Sequence, residues 1–417
     1  MSPIEFAEKL LQQQEAGFGA TFACSGILTV FPESSGFSSR MSLTTPLWED
    51  GRWSGLPSLD SDIDTDVCVI GLGGSGLTCV AELLAMSRSV VGIDGEQVAA
   101  GAAGRNGGIL RPGLAANYHD SVRSIGRARA TRIYQLTLDE IERVRQQLPA
   151  RTKATGLLRL AATDVEYADC LAQRDAMLAD GLRAEEYAGV LGRGLFLPDA
   201  AAFQPLNRCR ALAGHVARSG ARLFERTPAL AFSAHEVTTP RGRIRCAATV
   251  IAVDGRLAML IPEVRGTVRT ARLQMLATGP VPGSRIPCPV SLDFGFDYAQ
   301  QLPDGTLAVG GGRNREMEAE WTDDANTTES IQRHLEQVAE RLLTVRAPIT
   351  HRWAASVSYT TTGLPVLAEV RAGVWAIGGY SGNGNLVGAL CGRAAAHLAC
   401  GEPSEFASLL AESTGPP

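Results

Sequence analysis

Lysine is almost missing from this sequence: only Lys9 and Lys153 occur, so nearly every cation is an arginine. Positive charge is not in excess either, since 39 Lys and Arg face 44 Asp and Glu, for a net charge of −5. Such a balance builds no basic stripe and excludes nucleic acid as a main partner. No uninterrupted apolar run approaches the roughly 20 residues that cross a bilayer, so no transmembrane segment is expected. Residues 17–31 are mildly apolar, but no basic segment precedes them as a secretory signal requires. The nine cysteines include no C-x-x-C, and the six histidines (His119, His215, His235, His334, His351 and His397) show no metal-ligand spacing and no triad. An odd cysteine count in a chain too long to need disulfide staples reads as reduced, buried thiols in a cytoplasm, with no metal.

Glycine, in contrast, is abundant, with 45 among 417 residues, which calls for many tight turns and close backbone approaches. The length predicts two or three cores, or two interleaved domains. Residues 1–40 look unlike the rest of the chain, and Met41 could itself open it. They read as an appended leader without assigned function.

The run at 66–70 (DVCVI) predicts a buried parallel strand ending directly in GLGGSG. Apolar Leu77, Val80, Ala81 and Leu84 at helical spacing predict a helix over 76–87, and SVVGID predicts a second strand over 89–94. Gly71, Gly73 and Gly76 give G-x-G-x-x-G, flanked by Gly74 and Ser75. In that order the glycines permit the turn, the approach of a pyrophosphate, and close helix–strand packing. The helix start supplies N–H groups and partial positive charge for phosphates. Asp94 follows Gly71 by 23 positions, where an acid binds the ribose of a dinucleotide. The motif does not separate NAD from FAD. The small-residue run GEQVAAGAAGRNGG (95–108) does, because a backbone without bulky side chains can lie against a flat ring system. Further along, helices are predicted over 120–148, 208–219 and 328–344. Strands are predicted over 156–162, 222–225 and 248–253, with a PDGT hairpin turn at 303–306 and a Gly-rich strand–loop–helix over 374–400.

At IDGEQVAAGAAGRNGG the chain resembles flavoproteins of the D-amino-acid oxidase-like (DAO) superfamily, closest in signature to its gamma-glutamylputrescine oxidoreductase-type members. Collinear stretches extend the likeness over about 60–405: FLPDAAAFQPLNRCRALAGHVARSGARLFERTPAL (196–230), CAATVIAVDG (246–255), DYAQQLPDGTLAVGGG (297–312) and WAIGGYSGNGNLVGALCGRAAAHLACGE (375–402).

The resemblance implies an α/β (α+β overall) fold, with a Rossmann-like FAD-binding domain interleaved with an antiparallel-sheet substrate domain. The FAD-binding pieces would be 60–114, 205–260 and 350–405, and the substrate pieces 115–204 and 261–349. Residues 1–59 would form an N-terminal extension and 406–417 a tail. It implies non-covalent FAD held by Gly71, Gly73, Gly74, Ser75, Gly76 and Asp94; by Gly104, Arg105, Asn106, Gly107 and Gly108; and by Gly379, Tyr380, Ser381, Gly382, Asn383 and Gly384. Arg105 would donate to the ring or close a salt bridge. Asn383 stands where many members carry a histidine.

The implied chemistry is C–N bond oxidation of an amine or amino-acid-like compound by hydride transfer to flavin N5, with oxygen or a carrier as electron acceptor. The alternatives are a flavoprotein subunit serving a partner, or an NAD protein without flavin. No residue is singled out as essential; Tyr298, Gln300 and His351 are the candidates for the substrate pocket. The arginine that grips a carboxylate in glycine-oxidase-like members is absent from WAASVSYTTTGLP (353–365), where Val357 and Ser358 stand instead. Arg313 and Arg352 are the nearest substitutes. Oxidases of the sarcosine-oxidase branch place a lysine over the flavin, so by this resemblance the absence of lysine after Lys153 implies a slower reaction with oxygen than in true oxidases, unless an arginine such as Arg269 or Arg272 substitutes.

Overall fold

The computed structural model describes residues 45–147, 152–283 and 286–411; Cys24 and the expected leader 1–40 lie outside them. Val67–Ile70 is buried at every position, which suits the middle of a parallel sheet. It lies in a six-stranded sheet whose order is Arg222–Phe224, Val90–Ile93, Val67–Ile70, Ala248–Ile251, Val374–Gly378 and Val366–Arg371, among the described residues. All neighbours in it are parallel except the last two strands, which form an antiparallel hairpin. Helices Gly74–Ala85, Pro205–Arg218 and Gly384–Ala399 pack their apolar residues into the same core cluster as Val67, Val69 and Val250.

Among the described residues an eight-stranded sheet stands beside it, in the order Ile349–Thr360, Val268–Thr278, Leu307–Gly311, Asp297–Gln301, Val290–Leu292, Leu157–Ala161, Gly192–Leu197 and Glu185–Gly189. It is antiparallel apart from Val290–Leu292 against Leu157–Ala161. Strand 349–360 therefore belongs with this sheet rather than with the dinucleotide-side piece beginning at 350, because its backbone pairs along Val268–Thr278 from Thr360 to Ile349.

Two further expectations are corrected. The single helix over 120–148 is two helices, Tyr118–Ile125 and Arg127–Gln147, separated by Gly126 at φ +83°, a conformation that ends a helix and that glycine adopts without strain. Residues 45–59 are not a separate extension. Trp48 is 2% exposed, and buried Glu225 accepts hydrogen bonds from Trp53 Nε1 (2.8 Å), Leu56 N (2.9 Å) and Val98 N (2.7 Å), which fastens the segment to the core.

The glycine-loop helix and the last long helix approach at backbone distance. A Cβ on Gly392 would lie 2.2 Å from the Ser75 carbonyl oxygen and 3.1 Å from Cys79 N. Gly392→Ala is expected to cost about 1–3 kcal/mol in urea or thermal unfolding. Gly266→Ala, which meets nothing within 4 Å at an ordinary φ, should stay within about 0.5 kcal/mol. Equal stabilities of the two variants would contradict this packing.

Candidate active site

The turn after Val67–Ile70 is set by glycine geometry. Gly71 has φ +105°, and a Cβ on Gly76 would sit 1.9 Å from the Gly71 carbonyl oxygen, so strand and helix touch directly. Gly73 differs: a Cβ there would meet only Ala103 Cβ, at 3.4 Å, and otherwise enter open cavity. The helix begun by Gly74 has no side-chain cap and no acid in its first turn, leaving its N–H groups and positive dipole end for an anion. Asp94 is anchored beside it, Oδ2 accepting from Leu72 N (2.8 Å) and Oδ1 from Glu96 N (2.9 Å), and burial pushes its pKa up. Each oxygen keeps a further lone pair for a hydroxyl donor.

The 101–108 loop is held by partners from distant parts of the chain. Trp48 Nε1 donates to the Asn106 carbonyl (2.7 Å) and Trp353 Nε1 to that of Arg105 (2.8 Å). Arg105 Nε donates to the Ala354 carbonyl (2.7 Å); burial lowers this guanidinium to about 10, so it stays charged at neutral pH. Asn106 Oδ1 accepts from Gly108 N and Asn385 Nδ2, and its Nδ2 donates to the carbonyls of Ala102 and Ala103. The space a Cβ on Gly107 would need is filled by the Tyr298 ring, 2.7 Å away.

A second helix N-terminus points at the same space. Asn383 precedes Gly384–Ala399 without capping it; its Nδ2 instead donates to the carbonyls of Arg111 (3.3 Å), Gly113 (2.8 Å) and Leu114 (3.2 Å). This helix too has no acid in its first turn. The loop before it is fixed by Asp254, whose carboxylate accepts from Gly379 N (2.9 Å) and Ser358 N (3.4 Å). Burial raises Asp254 to about 6, against which these backbone bonds pull it down. Its φ of +29° shows that the surrounding contacts override local preference.

Between these parts lies one cavity of about 1580 Å³, running from the glycine loop to Tyr298, Arg313, Trp321 and Tyr359. That exceeds the roughly 300–1,000 Å³ of sites for drug-sized ligands, leaving room for a dinucleotide and a second molecule. Gly71, Gly73, Gly74, Ser75 and Asp94 line it, as do Arg105, Asn106, Gly107, Tyr298 and the run Tyr380 to Gly384. Gly76, Gly104, Gly108 and Gly379 do not line it. They make the loops possible instead: a Cβ would meet the Ala99 carbonyl oxygen at 2.3 Å from Gly104 and that of Phe203 at 2.3 Å from Gly108.

Two pocket candidates fall elsewhere. Gln300 shares the Tyr298 face of its strand but is buried behind the cavity, its Nε2 donating to the Phe203 carbonyl (3.3 Å). His351 lies at the far end of strand 349–360, its Nδ1 beside the Thr350 hydroxyl, and lines nothing. Arg352 is tied to Glu336 and Gln332 away from the cavity. The expected lack of metal-ligand spacing needs one addition. His119 Nε2 comes within 3.3 Å of Asp120 and 3.2 Å of Asp169, but Arg123 and Arg159 already engage those acids. Sequence reasoning missed Asp254, and it missed Arg208, whose Nη1 is 3.8 Å from the Gly74 Cβ position. Both lie in stretches that carry the family resemblance, 196–230 and 246–255, but only the fold brings them to the loops.

A parallel sheet with an uncapped glycine-loop helix, beside an antiparallel sheet and sharing a cavity with it, defines a dinucleotide-dependent enzyme of two layers. Residues 66–398 match the DAO family, described as FAD dependent oxidoreductase. The chain belongs to that family, and FAD is its cofactor. It is similar to "Probable oxidoreductase OrdL" of Rhizobium meliloti (strain 1021), 27% identical over 387 residues that cover 84% of this chain and 86% of the relative. "Gamma-glutamylputrescine oxidoreductase" of Escherichia coli (strain K12) is 23% identical over 85% of this chain and 88% of that protein. Glycine oxidase from Geobacillus kaustophilus shares the fold at a TM-score of 0.69 and 20% identity, covering 82% of this chain and 96% of that one. L-proline dehydrogenase from P. horikoshii does so at 0.67 and 18%, covering 83% and 96%.

Gly73→Val should fold with near-normal stability and purify colourless, because its side chain enters only the cavity. Flavin absorbance near 450 nm at wild-type content would contradict the cradle. Asp254 gives a pH signature. Its folded-state pKa of about 6 exceeds the ordinary 3.8, so its stabilising contribution is complete below pH 3.8 and lost as pH rises through about 6. Relative to Asp254→Asn, which cannot titrate, the wild type should lose about 1 kcal/mol between pH 5 and pH 7. A pH-independent gap in urea unfolding would refute this.

Proposed function

We propose that this chain oxidises a C–N bond of an amine or amino-acid-like compound, using FAD held non-covalently between the two helix N-termini. The observation that carries this reading is the single cavity joining the glycine-loop cradle to the Tyr298, Trp321 and Tyr359 end. The Gly73 cradle and Asp94 would take the pyrophosphate and ribose. The loops 104–108 and 379–384 would border the ring, where the second helix N-terminus suits negative charge. When bound, FAD supplies the acceptor for a hydride leaving the C–N carbon, at N5, and the resulting imine hydrolyses in water. The protein orients the amine and excludes water. Among the described residues no histidine and no lysine lines the cavity, and the Asp254 carboxylate that does is occupied by Gly379 N and Ser358 N, so the amine would bind neutral rather than lose its proton to a dedicated base.

Cys209 is the one cysteine lining the cavity among the described residues, and burial raises its thiol to about 11, which suits non-covalent binding. All eight described cysteines are free, in keeping with a reducing, cytoplasmic setting. No helix among the described residues is long and apolar enough to cross a membrane. The name of the Escherichia coli relative supports an amine as substrate. Val357, not an arginine, lines the cavity from strand 349–360, which argues against a carboxylate held from that strand.

Electrons would reach oxygen slowly. Lys153 is exposed and away from the cavity, Arg272 is held by Glu320 and Asp324, and Arg269 does not line it. Anaerobic mixing with a panel of primary and secondary amines is expected to bleach the flavin with at least one, and reoxidation by air should be slower than by a dye acceptor. If no amine or amino acid bleaches it while a protein partner does, the chain is an electron-passing subunit instead. Reoxidation by air as fast as by the dye would overturn the dehydrogenase leaning.

A further inference from the structure

We propose that Asp254 is a redox-linked proton site, whose carboxylate takes up a proton from water when the neighbouring FAD is reduced and releases it on reoxidation. This rests on the reading that loop 379–384 borders the flavin ring, and it is independent of which compound is oxidised. Asp254 opens the turn Asp254–Arg256 after strand Ala248–Ile251 and lines the cavity. Its two oxygens are held unequally. Oδ1 accepts from Gly379 N, the first residue of the loop, at 2.9 Å, whereas Oδ2 accepts from Ser358 N at 3.4 Å, beyond the usual length of such a bond. Oδ2 is therefore the oxygen with capacity to take a proton.

No cation answers this charge: among the described residues no basic side chain pairs with the Asp254 carboxylate. Arg256, in the same turn, is exposed and acts on Asp94. Strand 349–360 presents Ser358, whose hydroxyl donates to the Asp254 carbonyl (2.6 Å), while Tyr359 on that strand turns its ring to Arg313. The helix Leu257–Leu260 that follows brings no charge. The titratable groups that face the carboxylate are Tyr380 from the loop and Cys391 from helix Gly384–Ala399. Burial pushes both up, so both are neutral at neutral pH. Asp254 is thus the one charge in its surroundings. Burial carries it up to about 6 against the pull of the backbone N–H groups, so it is ionised at neutral pH by a narrow margin.

Reduction removes that margin. A hydride brings two electrons and one proton to the flavin, which leaves one added negative charge on the ring. A like charge in the same water-excluded cavity disfavours the carboxylate. With no cation to offset it, Asp254 Oδ2 gains a proton from water, and the pair carries one negative charge before the step and one after. The coupling is reciprocal, so a protonated Asp254 favours the reduced cofactor.

Electrochemical titration of the FAD-loaded protein over a series of pH values counts the protons taken up per two electrons. Just above pH 6 the wild type should take up close to two, against one in Asp254→Asn. A merely structural role would shift flavin affinity in the variant without removing the extra proton. The reduced-minus-oxidised infrared spectrum of the wild type should also gain a carboxylic-acid C=O band that shifts in D2O, a readout that needs no variant to fold. The proposal is overturned if the wild type takes up one proton at every pH, if Asp254→Asn keeps the second proton (which then sits on the flavin itself), or if no carboxylic-acid band appears. No amine enters the measurement, so a linked proton in a protein whose flavin no amine bleaches would fail the amine reading while leaving the proton site standing.

Discussion

The wall of the cavity depends on a loop with nothing of its own to bury. Residues 101–108 offer alanine, glycine, one arginine and one asparagine, so hydrophobic packing cannot place them. Hydrogen bonds do so instead. Two indoles, from Trp48 and Trp353, take successive carbonyls, and Arg105 and Asn106 return the contacts to strand 349–360 and to Asn385. Each partner belongs to a different part of the chain, so this loop is correct only when the parallel sheet, the antiparallel sheet and the 45–59 segment are all in place. A small-residue backbone gains close approach to a flat ligand and gives up local stability to get it.

Arginine carries the other long-range contacts, which suits a chain with two lysines. Arg393 bridges Glu82 and Glu140, Arg208 approaches Glu140 at 3.6 Å, and His397 also reaches Glu82. This network binds the helices at 74–85, 127–147, 205–218 and 384–399 behind the glycine loop. A planar guanidinium can serve two acids at once, whereas an ammonium acts as a point charge. Paired in this way, these buried charges are structural.

Much of the fold is legible in the sequence because it is written locally. The apolar runs at 67–70 and 90–93, the G-x-G-x-x-G turn and the PDGT hairpin each carry their own physical instruction. Helix Asp164–Ala179 escaped the periodicity reading although its signal is present: Thr163 and Glu166 form a capping box. What was not legible depends on where side chains end up. Tyr298 and Gln300 share one strand face, yet one ring lies against Gly107 while the other side chain closes on the Phe203 carbonyl, a difference that alternation alone cannot express. Asp254 is invisible for the same reason, since its partners Ser358 and Gly379 are more than a hundred residues away.

The stretch that matches the family begins at residue 66, but the folded unit begins earlier. Glu49 clasps Arg210 through both carboxylate oxygens, at 2.7 and 2.6 Å, Gln204 donates to the Trp48 carbonyl, and Trp48 in turn holds Asn106. The small-residue loop 101–108 is therefore tethered by a segment that precedes residues 66–398. Substitutions in such a tether can shift the loop, and with it the cavity wall, without altering any residue of the signature.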